Sequence, residues 1–243
     1  MTLMEVGRSD GEIAQLTGIP RPTVGAWRHG RGSRQHRRVG SATPAWRPKA
    51  PRSYCYLLGA YLGDGCLSVH SAGSACLVIV LDSKYPSVVA EVQNAMGRVL
   101  PDTPIRRYLR MGGSVTVIQA HHPALPYAFP QHGPGRKHLR TIALVDWQLE
   151  LTQQHPRHLL RGLIHSDGCR TINRFETKLP SGRVAQYEYP RYFFSNLSAD
   201  IRGIFCDHCE RLGIRWTQSN PRNISISHRK SVALLDEFIG PKT

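Results

Sequence analysis

Two stretches of the chain close on the same pair of residues: 57–65 is LLGAYLGDG and 160–168 is LRGLIHSDG. Each is apolar and each places small residues four apart, Gly59 and Gly63 in the first, Gly162 and Ser166 in the second. Residues four apart share one helical face, and small residues there let two helices approach backbone to backbone. Leu58, Tyr61, Leu62, Leu163 and Ile164 would then pack towards the rest of each half. If the helices pair about a pseudo-two-fold axis, their C-terminal ends meet and Asp64 stands beside Asp167. Two converging carboxylates suit a hard divalent cation, Mg2+ or Mn2+, held against phosphate oxygens. An Asp-Gly that merely stops a helix accounts for one copy comfortably and for two poorly.

A second matched pair lies further along each half. Residues 129–137 (FPQHGPGRK) and 238–242 (FIGPK) each end on a lysine, and Lys137 follows Asp64 by 73 positions as Lys242 follows Asp167 by 75. The near-equal spacing suggests equivalent positions in two repeats, although a basic linker and a frayed tail would look the same. Cys206 and Cys209 have the spacing of half a zinc site, but no second pair lies nearby and the segment has helical patterning. The six cysteines sit mostly in apolar runs, as reduced core thiols do. His121, His122, His132 and His138 suggest no chemistry.

The two nine-residue runs resemble the LAGLIDADG motif of homing endonucleases, and the resemblance extends from about Tyr54 to the C-terminus. It implies an α+β fold of two pseudo-symmetric repeats, αββαββα each, with saddle-shaped antiparallel sheets. It also implies a single-chain, monomeric enzyme that hydrolyses phosphodiester bonds of double-stranded DNA with Mg2+ (or Mn2+) at Asp64 and Asp167. LAGLIDADG enzymes are similar in placing a basic residue after the last helix of each repeat. Lys137 and Lys242 would there stabilise charge on the phosphate or help to activate water. Two rivals share the resemblance: a transcriptional regulator that has lost cutting, and an RNA maturase.

The elements that must position these groups can be read from periodicity. After the first motif come strands at about 66–71 and 75–82, a helix at 84–100, strands at 104–110 and 114–121, and a helix at 124–130. The second copy repeats the order at 169–176, 184–195, 198–212, 214–219, 222–228 and 229–239. Each half would form a four-stranded sheet with helices on one face and the other face open to DNA. Alternation puts Leu67, Val69 and Ile172 inward, which turns Ser68, His70, Thr171 and Asn173 towards the groove. Residues 177–191 suggest a longer hairpin tip in the second copy.

Ahead of the repeats, residues 9–29 (SDGEIAQLTGIPRPTVGAWRH) suggest a helix-turn-helix over residues 1–30. Ser9 and Glu12 form a capping box opening a helix to about Leu16, Gly18 suits the turn, and Pro20 and Pro22 suit the entry to a second helix. Ile13, Ile19, Val24 and Trp27 would form its small core. The second helix would offer Arg21, Thr23 and Arg28 to the major groove. Residues 31–53, with Arg37 and Arg38 among Gly, Ser and Pro, have the composition of a basic flexible linker, leaving 54–138 and 139–243 as the two repeats.

Bulk properties agree with a nucleic-acid partner. The 243 residues carry a formal net charge of +15, and 40% are hydrophobic, enough for a core. A membrane is disfavoured: there is no signal-like N-terminal segment and no run approaching ~20 apolar residues. The expected location is cytoplasmic, nucleoid-associated in a bacterium.

Overall fold

The computed structural model describes residues 9–17, 46–70, 74–240 and 242, which fall in two units, residues 1–45 and 46–243. In the first unit, helix α1 (Asp10–Thr17) opens on the expected capping box. The Ser9 amide donates to Glu12 Oε2 at 2.8 Å, and the Glu12 amide donates to Ser9 Oγ at 3.4 Å. Ile13 is buried. The expected second helix, with Arg21, Thr23 and Arg28, and the basic Arg37 and Arg38 lie outside the described residues.

The second unit is α+β and is built twice on one plan. Helix α2 (Pro51–Asp64) runs directly into strands β1 (Gly65–Val69) and β2 (Ala75–Asp82), then helix α3 (Pro86–Val99), strands β3 (Arg106–Arg110) and β4 (Val115–His121), and a short helix α4 (Leu125–Ala128). Helix α5 (Asp146–Gln154) leads to the second copy: α6 (Pro156–Asp167), β5 (Gly168–Lys178), β6 (Val184–Ser195), α7 (Ala199–Arg211), β7 (Thr217–Asn220), β8 (Asn223–Ile226) and α8 (Arg229–Ile239). The two antiparallel sheets have the same strand order, β1-β2-β4-β3 and β5-β6-β8-β7.

Local sequence explains the main boundaries. Pro51, Pro86 and Pro156 sit in the first turns of α2, α3 and α6, where a missing N–H costs nothing. Gly65 and Gly168 end the motif helices with extended φ of −90° and −112°, so positive φ is not their role. They are needed for space: a Cβ at Gly65 would lie 2.6 Å from Tyr61 Cα, and one at Gly168 would lie 2.7 Å from Ile164 Cα. The chain turns from helix to strand against its own last turn.

In β2, Leu77, Ile79 and Leu81 are buried while Val80 and Asp82 on the other face are exposed, the alternation of a sheet covered on one side. The core joins these residues to the apolar sides of α2, α3 and α6 and, in the second copy, to Phe194 stacked on Phe205 at 4.3 Å.

Several expectations need correction. Val69 and Ile172 are 52% and 38% exposed rather than inward. Each has the parity of the covered face, but β1 and β5 run past the end of the helical layer. The second-copy hairpin is strand almost to its tip, since pairing continues to Lys178↔Val184 and leaves only residues 179–183 as the turn. Helix α5 was not anticipated between the repeats. Trp46, within the stretch read as linker, packs on Tyr54 and Trp147 with ring centroids 5.7 and 5.8 Å away, so it belongs to the second unit. The helical patterning read around Cys206 and Cys209 does hold, for both are buried on α7.

Candidate functional site

Helices α2 and α6 cross in backbone contact, and their glycines are the reason. A Cβ on Gly162 would lie 2.1 Å from the Tyr56 carbonyl oxygen, and one on Gly59 would lie 2.5 Å from that of Leu159. One turn on, a Cβ at Gly63 would meet Ser166 Oγ at 2.2 Å and Asp167 Oδ2 at 2.9 Å. The small residues Gly59, Gly63, Gly162 and Ser166 thus meet across the crossing, and the helix ends emerge together. Asp64 and Asp167 line one cleft of about 370 Å3 with Lys137 and Asn196.

Each helix end is held by a lysine. Lys137 Nζ donates to the Tyr61 carbonyl, to that of Leu62 at 2.9 Å and to that of Gly63 at 3.1 Å. Lys242 Nζ donates to the Ser166 and Gly168 carbonyls at 3.2 and 3.0 Å. The Tyr61 carbonyl also accepts from the Gly65 amide, whereas Leu62, Gly63 and Ser166 lie in the last turns, where partners within the helix run out; the negative end of the helix dipole favours a cation there. Each ammonium also lies over a ring, Lys137 over Tyr61 at 4.9 Å and Lys242 over Tyr85 at 5.1 Å.

Burial and mutual charge set the electrostatics. Burial, followed by the charge of Asp167, pushes the Asp64 carboxyl up to about 6, against the opposing pull of Lys242 and Lys137. Asp167 is also raised by burial, but its Oδ2 accepts a 2.6 Å hydrogen bond from Asn196 Nδ2, which favours its ionised form. Burial draws Lys137 down to about 8, and lowers Lys242 also. The two carboxylates are therefore not equivalent. Counting from the paired positions Gly65↔Ile79 and Gly168↔Phe194, the position matching Asn196 is Leu81, which has no donor. Asn196 escaped sequence reasoning because its partner is 29 residues away and no spacing rule joins a strand end to a helix end.

The donor set fits a small hard cation. Two carboxylate oxygens facing each other in a half-buried cleft repel, and a divalent ion relieves that repulsion. Mg2+ in particular needs only one or two protein carboxylates when water and phosphate oxygens complete its shell. With two exposed cysteines beyond the aspartates, Cys66 and Cys169, soft donors are near but not part of the carboxylate pair.

From this centre the uncovered faces of both sheets extend outward. Ser68, His70 and Thr171 are exposed, and Asn173 is half-buried, with its Oδ1 accepting from Arg191 Nη1 at 3.4 Å. Strand pairing puts further groups on the same face of the first sheet. Arg106, Tyr108 and Arg110 of β3 share this face with Gln119 and His121 of β4, Arg106 being paired with Gln119. Tyr108 OH donates to Gln119 Oε1 at 3.2 Å, and Gln119 Nε2 lies 2.6 Å from His121 Nε2. In the second sheet that face ends in aromatics, with Phe175 stacked on Tyr187 at 5.2 Å and edge-on to Tyr189 at 5.9 Å. Sequence reasoning drew the partner strands too but named contact residues only on the strand after each motif, because the register that brings the others onto the same face is fixed only by folding.

No protein-family model and no curated protein matches the chain. Solved structures do. Mesophilic variants of the homing endonuclease I-DmoI share 14% identity with a TM-score of 0.51, over 79% of this chain and 91% of theirs. I-DmoI in complex with DNA and Mn gives the same identity, score and coverage of this chain, over 98% of its own length. The DUF199/WhiA protein from Thermatoga maritima is similar at 14% identity and a TM-score of 0.49, over 81% of this chain and 58% of that one. The two I-DmoI structures establish the fold, the two-repeat architecture of single-chain LAGLIDADG proteins.

Proposed function

We propose that this chain is a sequence-specific double-stranded DNA endonuclease of the LAGLIDADG homing type. The convergence of Asp64 and Asp167 on one cleft, each at a helix end held by a lysine, supports this most. The +15 charge and the two polar, uncovered sheet faces suit a polyanionic duplex. Asp64 and Asp167 would hold Mg2+ or Mn2+, which supplies Lewis-acid activation of water and neutralises charge on the scissile phosphates. The chain's own groups do the rest. Asn196 orients Asp167, Lys137 and Lys242 stabilise charge building on phosphate oxygens, and Ser68, His70, Thr171 and Asn173 contact base edges.

The test starts by selecting bound sequences from a random duplex pool. These are then incubated with wild type, Asp64→Asn and Asp167→Asn. Both variants keep side-chain size and lose the charge that a hard cation needs. Wild type should cut both strands only with Mg2+ or Mn2+, and each variant should lose cutting while binding at least as tightly, because repulsion from phosphate is relieved. Specific binding by wild type without cleavage would favour the second reading, a transcriptional regulator on the same fold. The capped helix α1, with its expected helix-turn-helix reading head, supports that rival.

A further inference from the structure

Helices α2 and α6 carry the same motif, yet the matching positions Leu58 and Leu62 of the first are Arg161 and His165 in the second. Arg161 is half-buried and makes four directed contacts. Its Nε and Nη2 form a bidentate pair with Glu91 on α3 of the first repeat, at 2.7 Å each. Its Nη1 donates to the Phe238 carbonyl at 2.5 Å and to that of Ile239. One turn along α6, buried His165 completes the cluster. A carbonyl only accepts, so Nε2 donates to Ile239 O at 3.0 Å and Nδ1 accepts from Tyr56 OH at 3.0 Å. The last carbonyls of α8 are thus tied to α6 and, through Glu91 and Tyr56, to the first repeat.

The short segment beyond α8 gives the cluster its meaning. Gly240 has φ of +68°, and a Cβ there would lie 3.2 Å from Arg161 Nη1, so both conformation and space call for glycine. Lys242 comes two residues later with its ammonium on the Ser166 and Gly168 carbonyls. Three residues span roughly 10 Å at most, so fixing the Ile239 carbonyl restricts Lys242 to the neighbourhood of the aspartates. Lys137 is placed by other means: it lies in a 3-10 turn, Lys137–Leu139, followed by Arg140, whose Nη1 donates to the Gln131 carbonyl.

We propose that Arg161 is a positioning residue that sets Lys242, and only Lys242, at the catalytic centre, so that losing it slows the cutting of one DNA strand. The strand effect rests on the proposed nuclease activity, whereas the placement of Lys242 does not. The experiment therefore has two readouts on the full chain: wild type, Arg161→Leu, the double variant Arg161→Leu/Glu91→Leu that leaves no unpaired carboxylate, and Lys242→Met. Lysine acetylation followed by mass spectrometry should show Lys242 labelled about fivefold faster in both Arg161 variants, with Lys137 unchanged. On a supercoiled plasmid carrying the selected site, both Arg161 variants should accumulate nicked circles as Lys242→Met does. One strand should slow by about 10²-fold, the loss expected for one transition-state donor, and the other should stay within about threefold of wild type. Unchanged Lys242 labelling overturns the positioning role. Changed labelling with both strands slowed equally overturns the single-strand effect. A wild type that cuts nothing defeats the nuclease reading, and the labelling still decides the placement.

Discussion

Asp64 is a carboxylate held where it is poorly solvated and next to another of like charge, and its stability consequence has a definite sign. Its folded pKa of about 6 lies above the unfolded value near 4, so the folded metal-free protein binds the proton more tightly. The stabilisation this gives is fully present below about pH 4 and is lost as pH rises through about 6. At pH 7.5 the ionised side chain costs up to about 3 kcal/mol by that difference. Asp64→Asn should therefore raise Tm in EDTA at pH 7.5 and leave it nearly unchanged at pH 4, measured by thermal melts across that range. A variant that melts earlier than wild type at pH 7.5 would mean that Asp64 is stabilised by contacts other than those described. Asp167 should gain less from the same replacement, since Asn196 already supports its charge.

At the scale of elements, the α2–α6 crossing admits no side chain beyond hydrogen at its centre. Gly162→Ala would drive a methyl against the Tyr56 carbonyl, backbone that cannot rotate away, and the helices must part. The expected loss is about 3 kcal/mol or more, at the upper end of overpacking penalties, read from urea denaturation. Gly203→Ala on α7 is the control: nothing lies within 4 Å, so it should stabilise by about 0.4–1 kcal/mol through the unfolded chain. Much of this level was legible in the sequence. The eight strands and the helices between them could be drawn from alternation and period, and the strand-helix order within each repeat came through because each of those elements has its own local signal, whereas α5 between the repeats did not. What escaped was of a different kind. Val69 and Ile172 were misjudged because alternation tells which face a residue is on and not how far the helices cover it. Arg161 and His165 lay inside a motif already noticed, but their meaning depends on Glu91, Tyr56 and Ile239, each 70 or more residues distant. Asn196 is the same case at the aspartate cleft.

For the whole molecule, the question is how binding energy is divided between the packed repeats and the basic segment before them. Trp46 belongs with the repeats, and Arg47 lies over the Trp147 ring at 5.0 Å, so a clean truncation removes residues 1–45 and keeps both. That protein should retain the wild-type Tm of its core, bind a shorter footprint, and lose affinity. Its salt dependence should also flatten, since fewer phosphates are neutralised when Arg37, Arg38 and their neighbours are gone. Footprinting and binding titrations between about 50 and 200 mM salt measure both effects. An unchanged footprint and slope would remove the N-terminal segment from DNA reading. No helix among the described residues is long and apolar enough to cross a membrane.

The Tyr56–His165 hydrogen bond has a consequence for the molecule's ancestry and for its redesign. The position matching Tyr56 in the second motif is Leu159, and the position matching His165 in the first is Leu62. In a chain assembled from two second repeats, each buried imidazole would face leucine where a phenol now donates, leaving a polar nitrogen unpartnered at a cost of about 1–3 kcal/mol. Two first repeats would bring phenol against leucine instead. The halves share a blueprint but are lock and key to each other rather than copies. Grafting either half onto a new partner to build a hybrid target site would require that this one pair be carried across with it.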